Sequence, residues 1–434
     1  MSQPEGLASA LERIVAERQA ARLPSVSAAV VRKGEVVWAG SAGKADYGDG
    51  RDATPDTQYR IGSITKTFTA VAVMELREAG LVDLDDRLEQ HIPGIANGSP
   101  TLRRLLCHLS GLQREAGEMF VTGESPTEQE LIESMSGVEF VFKPGESHHY
   151  SNLAFALLGQ VVAHVSGQPY TEYVDEKIIR PLGLTRTTWT RAEPAARGYL
   201  VDEYAGTVWN EPETDLGGAT AAGQLWSTVE DLCAWATFLA EGKDGVLSAK
   251  SVGEMWFPQV MYYPDDWTLG WGLGLMLYNI EGRVYAGHGG AMAGHLAGVC
   301  IDRKTGIGAA ALTNSGTRGD MEPTALKLAA KTIELWPEPV ETWLPETDVP
   351  DDARALLGRW WSEGTEFIFW WEKGGLRSKP VALPANRPPT IFEREGDGWR
   401  ATAGRERGEY LRIDGDQMVW AGYSFTRNQE PFKA

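Results

Sequence analysis

The chain has 434 residues, of which 42% are apolar and 23% charged, a composition typical of a soluble globular protein with one large or two smaller domains. Its net charge is −19, and the acidic excess lies within residues 1–350, because residues 351–434 carry equal numbers of acidic and basic groups. Such a surface argues against binding to nucleic acid or to an anionic membrane, which both attract basic patches.

Residues 1–21 mix charged and apolar side chains without a continuous apolar run, which predicts an amphipathic helix and neither a secretory signal nor a membrane span. The three cysteines, Cys107, Cys233 and Cys300, are far apart in apolar surroundings, so we expect buried thiols without disulfides. Together these features predict a cytoplasmic protein. Residues 27–38 alternate around Lys33-Gly34 and predict a β-hairpin.

Ser63 and Lys66 form the first motif with a chemical signature, S-x-x-K. A serine hydroxyl needs an adjacent base and oxyanion donors to act as a nucleophile. Three residues are nearly one helical turn, so a helix beginning near Ser63 would place the Lys66 amine beside the hydroxyl. Partial burial would then help Lys66 to lose its proton and act as the base. The alternative is an ordinary helix N-terminus that Ser63 caps.

Tyr150 and Asn152 form a second motif, Y-x-N, between a Pro-Gly turn and an apolar helical run over residues 153–165. A phenol can relay a proton, and an amide can both donate to a substrate carbonyl and accept from an ammonium. The neighbouring His148 and His149 have no carboxylate or cysteine at the usual ligand spacing. We therefore expect neither a metal nor a cofactor.

His288, Gly289, Gly290 and Ala291 form a third motif between the strand-like runs 283–286 and 294–314. His288 is suited to position or polarise a substrate, and the two glycines would let the backbone approach a ligand closely. The N–H of Ala291 is a candidate oxyanion donor. The alternative is a glycine-rich hairpin with an exposed histidine.

Helical patterns and long loops occupy most of residues 67–260, whereas strand-like patterns lie before and after them. This arrangement predicts an α/β (α+β) domain with an antiparallel sheet flanked by helices, an all-α lobe, and the nucleophile in the cleft between them. Residues 265–267 are expected to form a loop near the rim of that cleft. Residues 324–335, opened by Pro323, predict a closing helix.

Residues 336–350 are rich in proline and acidic residues and predict a linker between a catalytic domain, residues 1–335, and a β-rich domain, residues 351–434. Short alternating segments between glycine turns predict a small antiparallel barrel in the second domain. Its tryptophans are expected in the barrel core, with a ligand-binding mouth as the alternative. The sequence Gly358-Arg359-Trp360 is similar to the G-x-W opening of lipocalin-like barrels.

The order of the three motifs resembles that of the serine β-lactamase and penicillin-binding protein superfamily, most closely the class C-type branch with its D,D-peptidases, D-aminopeptidases and esterases. Residues 105–112, 181–187 and 221–232 match further segments of that family, and the resemblance covers residues 5–335. His108, in the first segment, is expected to be structural. Class C β-lactamases carry K-T-G where this chain has His288-Gly289-Gly290, and the missing ammonium argues against efficient β-lactam hydrolysis.

The resemblance implies a serine hydrolase that forms an acyl-enzyme on Ser63 and cleaves esters or amides of small or peptide-like substrates. Lys66 and Tyr150 would accept and relay the serine proton, and the choice of general base stays open because the pair titrates together. The Ser63 and Ala291 N–H groups would hold the oxyanion, Asn152 would orient the acyl amide, and His288 would border the leaving group. One alternative is a penicillin-binding-protein-type thioesterase that cyclises or releases non-ribosomal peptides, and another is a non-enzymatic scaffold or sensor.

Overall fold

A computed structural model describes residues 3–115, 124–263, 265–317, 319–384, 387–414 and 417–429. The chain divides into two compact units, Met1–Glu338 and Pro339–Ala434. Each unit has its own hydrophobic core, and each is described by itself.

The strands of the first unit, within the described residues, are β1 (Ser25–Arg32), β2 (Glu35–Gly43), β3 (Tyr59–Arg60), β4 (Tyr199–Val201), β5 (Val208–Asn210), β6 (Trp226–Ser227), β7 (Val260–Tyr263), β8 (Asp266–Trp271), β9 (Met276–Ile280), β10 (Arg283–Met292), β11 (His295–Asp302) and β12 (Ile307–Thr313). An eight-stranded antiparallel sheet has the order β2-β1-β12-β11-β10-β9-β8-β7, and β3-β6 and β4-β5 form two small sheets. The large sheet therefore combines strands from both ends of the unit, and the helices between them form an insertion.

The helices of this unit are α1 (Leu7–Ala20), α2 (Thr65–Glu78), α3 (Leu88–His91), α4 (Leu102–Leu106), α5 (Glu128–Ser134), α6 (Asn152–Ser166), α7 (Tyr170–Val174), α8 (Arg180–Leu182), α9 (Val229–Glu241), α10 (Ala249–Met255) and α11 (Met321–Leu335). Short 3₁₀ turns cover Gly62–Ile64, Met135–Gly137 and Gly217–Ala222, and a π-helical turn covers Asp175–Ile179. In the described part of the chain, no helix combines the length and the apolar character that crossing a membrane requires. The predicted mixed fold, with its antiparallel sheet, flanking helices and helical lobe, is confirmed.

The two faces of the large sheet are covered differently. Helices α1 and α11 pack on one face, and α9 and the helical lobe pack on the other. Helix α2 is the centre of the lobe: the Phe68 and Trp235 rings stack with centroids 3.7 Å apart, and Trp235 Nε1 donates to Thr67 Oγ1 at 2.8 Å. Because α2 is buried along most of its length, the 3₁₀ turn that directly precedes it and carries Ser63 is attached to a rigid helix.

One local expectation was wrong in part, and one alternative is contradicted. Of residues 265–267, which were expected to form a loop, only Asp265 lies in a turn, because β8 begins at Asp266 and pairs with β7 and β9. The alternative for the third motif, a glycine-rich hairpin with an exposed histidine, is wrong for the histidine: His288 to Ala291 lie inside β10, and the turn to β11 follows only at residues 293–294. Three glycines in one strand imitate a turn in the sequence, but here they allow close packing on both sides of the strand.

The second unit is an eight-stranded antiparallel meander, preceded by α12 (Asp351–Arg354). Its strands are β13 (Gly358–Ser362), β14 (Thr365–Glu372), β15 (Gly375–Pro380), β16 (Thr390–Glu395), β17 (Gly398–Ala403), β18 (Tyr410–Asp414), β19 (Gln417–Trp420) and β20 (Tyr423–Phe425). Backbone hydrogen bonds between Trp361 and Thr426 join the first and last strands, so the sheet is nearly closed. Trp360, Trp399 and Trp420 lie in its core, and the predicted small barrel is confirmed.

Candidate active site

Ser63 lies on a tight turn at the beginning of α2, directly after β3. The Ile61 N–H donates to the Leu225 carbonyl at 2.9 Å, and Gly62 adopts a positive φ of 49°. A Cβ at Gly62 would lie 2.6 Å from the Ala291 nitrogen, so glycine is required for the turn to approach β10. The partly exposed Ser63 is therefore held next to the backbone of Ala291.

Lys66 follows one helical turn later and is completely buried. Its Nζ lies 3.0 Å from Ser63 Oγ and donates to the Ala222 carbonyl at 2.6 Å. Burial lowers the pKa of Lys66 from 10.5 to about 7, an effect that the charge of Glu115 opposes and that of Arg114 reinforces. A neutral amine within hydrogen-bond distance of the serine hydroxyl is therefore present near neutral pH.

Tyr150 completes this group, because its ring centroid lies 5.2 Å from Lys66 Nζ and it lines the same depression as Ser63. Burial raises the pKa of Tyr150 above its usual value, so the phenol is protonated at neutral pH. The His108 ring stacks on the Tyr150 ring with centroids 4.3 Å apart, and His108 Nδ1 accepts from the Ser151 N–H at 3.1 Å. His108 therefore supports the loop that carries the tyrosine.

Asn152 is the first residue of α6 and lies beside two charged residues that the sequence analysis did not identify, Arg114 and Glu115. The Asn152 N–H donates to the Arg114 carbonyl at 2.8 Å, and its Nδ2 donates to Glu115 Oε1 at 2.6 Å. Arg114 Nε lies 3.3 Å from the same carboxylate oxygen. Burial raises the pKa of Glu115, while the hydrogen bond from Asn152 and the charge of Arg114 oppose this effect.

A small cavity of about 40 Å³ lies on this side of Ser63. Apart from Ser63, Glu115 and Asn152, its lining is apolar: Pro126, Leu153, Ala156, Leu216, Ala219, Ala222, Gly223, Ala291 and Met292. The cavity is suited to a short side chain next to one carboxylate. We call it the acyl cavity.

Strand β10 carries the third motif past the Ser63 turn. A Cβ at Gly290 would lie 1.9 Å from the Ile61 carbonyl oxygen and 3.3 Å from the Ser63 nitrogen, so the bare glycine backbone allows direct contact between strand and turn. This contact brings the main chains of Ser63 and Ala291 together, as two donors of one oxyanion hole require.

His288 is buried inside the same strand, 2% exposed, which contradicts the exposed-hairpin alternative. Its Nδ1 lies 2.5 Å from the Gly289 carbonyl oxygen, and its ring centroid lies 5.5 Å from that of Trp271 and 6.4 Å from that of Tyr150. Burial lowers the pKa of His288 to about 3, and the charge of Lys66 adds to this effect. The imidazole is therefore neutral at physiological pH and supplies no positive charge.

A larger, open depression of about 460 Å³ lies on the other side of Ser63, and we call it the trough. Its floor includes Tyr150 and residues 288–291, and its wall includes the aromatic side chains of Tyr262, Tyr263 and Trp271. Its charged residues, within the described part of the chain, are Arg114, Asp320 and Glu322.

The structure brings all eight residues of the three motifs to one cleft: Ser63, Lys66, Tyr150, Asn152, His288, Gly289, Gly290 and Ala291. Four further residues lie there that were not predicted from the sequence: Arg114, Glu115, Trp271 and Glu322. A signal existed for the first two, because two adjacent charged residues follow Gln113, the first residue after the matched segment 105–112. No signal marked Trp271 or Glu322, which are more than 200 positions from Ser63.

Comparison with protein families gives a match of residues 11–334 to the model described as Beta-lactamase. The chain belongs to the beta-lactamase family. This confirms the expected superfamily and the hydrolase class that it implies for the first unit. Residues 349–427 match a second model, described as Domain of unknown function (DUF7586).

Other members of the beta-lactamase family are similar at moderate identity. Beta-lactamase-like protein 2 of Dictyostelium discoideum is 31% identical over 265 residues, which are 57% of this chain and 48% of that protein, so the chain spans about half the length of the curated relatives it matches. The octameric penicillin-binding protein homologue from Pyrococcus abyssi has a TM-score of 0.66 and 26% identity, covering 96% of this chain and 99% of that one. The D-amino acid amidase from Ochrobactrum anthropi SV3, complexed with L-phenylalanine amide, has a TM-score of 0.67 and 29% identity, covering 76% of this chain and 98% of that one.

Proposed function

We propose that the first unit is a serine hydrolase that forms an acyl-enzyme on Ser63 and cleaves esters or amides of small or peptide-like substrates. One observation carries this proposal: Lys66 Nζ lies 3.0 Å from Ser63 Oγ, and burial holds the pKa of that amine at about 7. A base whose pKa is close to the working pH combines a useful neutral fraction with a useful proton affinity. An unperturbed lysine would be almost entirely charged.

In the proposed reaction, Ser63 attacks the substrate carbonyl while neutral Lys66 accepts the hydroxyl proton. Tyr150 is protonated because its pKa is raised, and it donates its proton to the leaving group. The protonated Lys66 then returns a proton to Tyr150. The N–H groups of Ser63 and Ala291 stabilise the oxyanion. Water then attacks the acyl-enzyme, and the proton transfers run in reverse.

The acyl cavity favours a short acyl group, because its volume is small and its lining is apolar apart from Ser63, Asn152 and Glu115. The carboxylate of Glu115 would attract a substrate ammonium at this place, and Asn152 would bind the acyl amide. The similarity to a D-amino acid amidase supports amino acid amides as candidate substrates. Efficient β-lactam hydrolysis is not expected, because His288 is neutral where class C β-lactamases carry a lysine.

The test is detection of a Ser63 adduct by intact mass after incubation with activated esters, a D-amino acid amide, a D-peptide amide, a penicillin and a peptidyl thioester. We expect adducts from the esters and turnover of the amides. Ser63→Ala should abolish both, whereas the control Ser166→Ala, at the end of α6, should leave both unchanged. Turnover that persists in Ser63→Ala would refute the assignment, and preferred turnover of the thioester would favour the peptide-releasing alternative.

A further inference from the structure

The trough contains the carboxylate of Glu322, which packs against two glycines of the large sheet. Gly289 of β10 and Gly298 of β11 are direct cross-strand partners. A Cβ at Gly289 would lie 2.1 Å from Cδ of Glu322, and a Cβ at Gly298 would lie 2.4 Å from the Glu322 nitrogen. Because the paired glycines have no side chains, both the main chain and the side chain of Glu322 pack directly on the strands at the third motif.

Further contacts hold this carboxylate in place. The Tyr278 hydroxyl donates to Glu322 Oε1 at 2.6 Å. Burial raises the pKa of Glu322, while the Tyr278 hydrogen bond opposes this effect. Glu322 also lies in the first turn of α11, where the partial positive charge of a helix N-terminus favours an anion. Asp320, directly before the helix, adds a second carboxylate that lines the trough. The helix end that faces the trough is thus already neutralised by this chain's own acidic side chains.

The remaining charged and titratable groups of the trough do not offset this negative charge on the β10 side. His288 is neutral, since burial lowers its pKa to about 3, and Tyr150 is protonated. The Arg114 guanidinium lies over the Tyr150 ring, 4.9 Å from its centroid, and Arg114 Nε is within 3.3 Å of Glu115 Oε1. A substrate group placed along residues 288–291 therefore meets a fixed carboxylate and no cation from β10.

We propose that Glu322 is a specificity-determining residue of the Ser63 site, which selects substrates with an uncharged or cationic leaving group and rejects those whose leaving group carries a carboxylate. Amides, simple esters and amine-bearing leaving groups belong to the first class, and peptides with a free C-terminal carboxylate to the second. The inference rests on the proposed acyl transfer to Ser63 and adds to it the chemistry of the leaving-group side. Like-charge juxtaposition is an established means of excluding a wrong partner.

The test uses two esters with the same acyl group that differ only in leaving-group charge, an ester of 3-hydroxybenzoate and one of 3-hydroxybenzamide. The values of kcat/KM are measured at pH 8 in the full chain and corrected for the rate of spontaneous hydrolysis. We expect the wild type to prefer the benzamide ester by at least about tenfold, a typical effect of one uncompensated charge. Glu322→Gln should reduce that preference about tenfold by raising kcat/KM for the benzoate ester, while the value for the benzamide ester stays within about threefold.

Two control variants separate charge from structure. Tyr278→Phe removes the hydrogen bond but keeps the carboxylate, so the preference should remain, and Glu334→Gln removes one exposed charge from the far end of α11 and should change neither rate. An unchanged ratio in Glu322→Gln, or a wild type that prefers the benzoate ester, would overturn the role of Glu322 while leaving the Ser63 adduct intact. If neither ester acylates Ser63, the proposed function itself fails, and this inference fails with it.

Discussion

The pH dependence of acylation is the sharpest consequence of the buried amine at Lys66. Burial lowers the pKa of Lys66 from 10.5 to about 7, and only the neutral amine can accept the Ser63 proton. The neutral fraction is about 1% at pH 5 and about half at pH 7, so the acylation rate should rise about 50-fold over that interval. From pH 7 to pH 9 it should rise only about twofold more, whereas a lysine of ordinary pKa would give about a 100-fold rise there.

The assay is the burst rate of a chromogenic activated ester between pH 5 and pH 9, corrected for spontaneous hydrolysis. Of the groups near Lys66, His288 and Tyr150 titrate elsewhere, because burial places the pKa of His288 at about 3 and raises that of Tyr150. Burial also raises the pKa of Glu115, so the variant Glu115→Gln is needed to assign the inflection to Lys66. The charge of Glu115 raises the pKa of Lys66, so Glu115→Gln should move the inflection to lower pH. A rate that keeps rising tenfold per pH unit up to pH 9, or an inflection that Glu115→Gln moves upward, would refute the reasoning.

Three further predictions concern stability and the shape of the site. Lys66→Met should abolish acylation yet stabilise the fold, because a charged buried Lys66, whose pKa falls from 10.5 to about 7, costs about 5 kcal/mol below pH 7. This cost disappears as the pH rises toward 10.5, so urea unfolding should show a larger gain at pH 6 than at pH 9. Gly290→Ala should lower kcat for an activated ester by about 100-fold or more, because its Cβ would lie 1.9 Å from the Ile61 carbonyl oxygen and would separate β10 from the turn at Ser63, and with it the two proposed oxyanion donors. A near-normal kcat would contradict this. His108→Phe keeps an aromatic ring but loses the acceptor for the Ser151 N–H. We expect kcat to fall about tenfold with little change in KM, and a comparable rise in KM would indicate a different role for His108.

The proximity of the residues proposed to carry out the chemistry was predictable, because each pair is set by local spacing along the chain. Ser63 and Lys66 are one helical turn apart, so any helix that begins at this point brings the amine to the hydroxyl. Tyr150 and Asn152 flank the N-terminus of an apolar helix whose direction is set by its buried face. In both cases a property readable within a few residues decides which side chains meet.

The environment of those residues could not be predicted in the same way. The strand β10 looked like a turn because glycine is frequent in turns, yet its glycines are there for close packing: Gly290 against the Ile61 carbonyl and Gly289 against Glu322. The exposed strands β7 and β8 were missed because solvent-facing aromatic residues interrupt the usual alternation of apolar and polar side chains. Only the pairing with neighbouring strands, which depends on residues far away in the sequence, distinguishes these strands from turns and loops.

The residues of the cleft that local motifs predicted and those that they did not predict differ in their chemistry. In the proposed reaction, the motif residues supply reactivity: a nucleophile, a base of lowered pKa, and backbone donors. The charges that a substrate would meet come instead from Glu115, beside the acyl cavity, and Glu322, beside the trough, and neither belongs to a motif. Because His288 is neutral, β10 supplies no positive charge to balance the two carboxylates. The family resemblance that predicts the reaction therefore cannot by itself predict the substrate. Substrate charge is therefore the variable along which members of this family with the same nucleophile, base and oxyanion donors are expected to diverge.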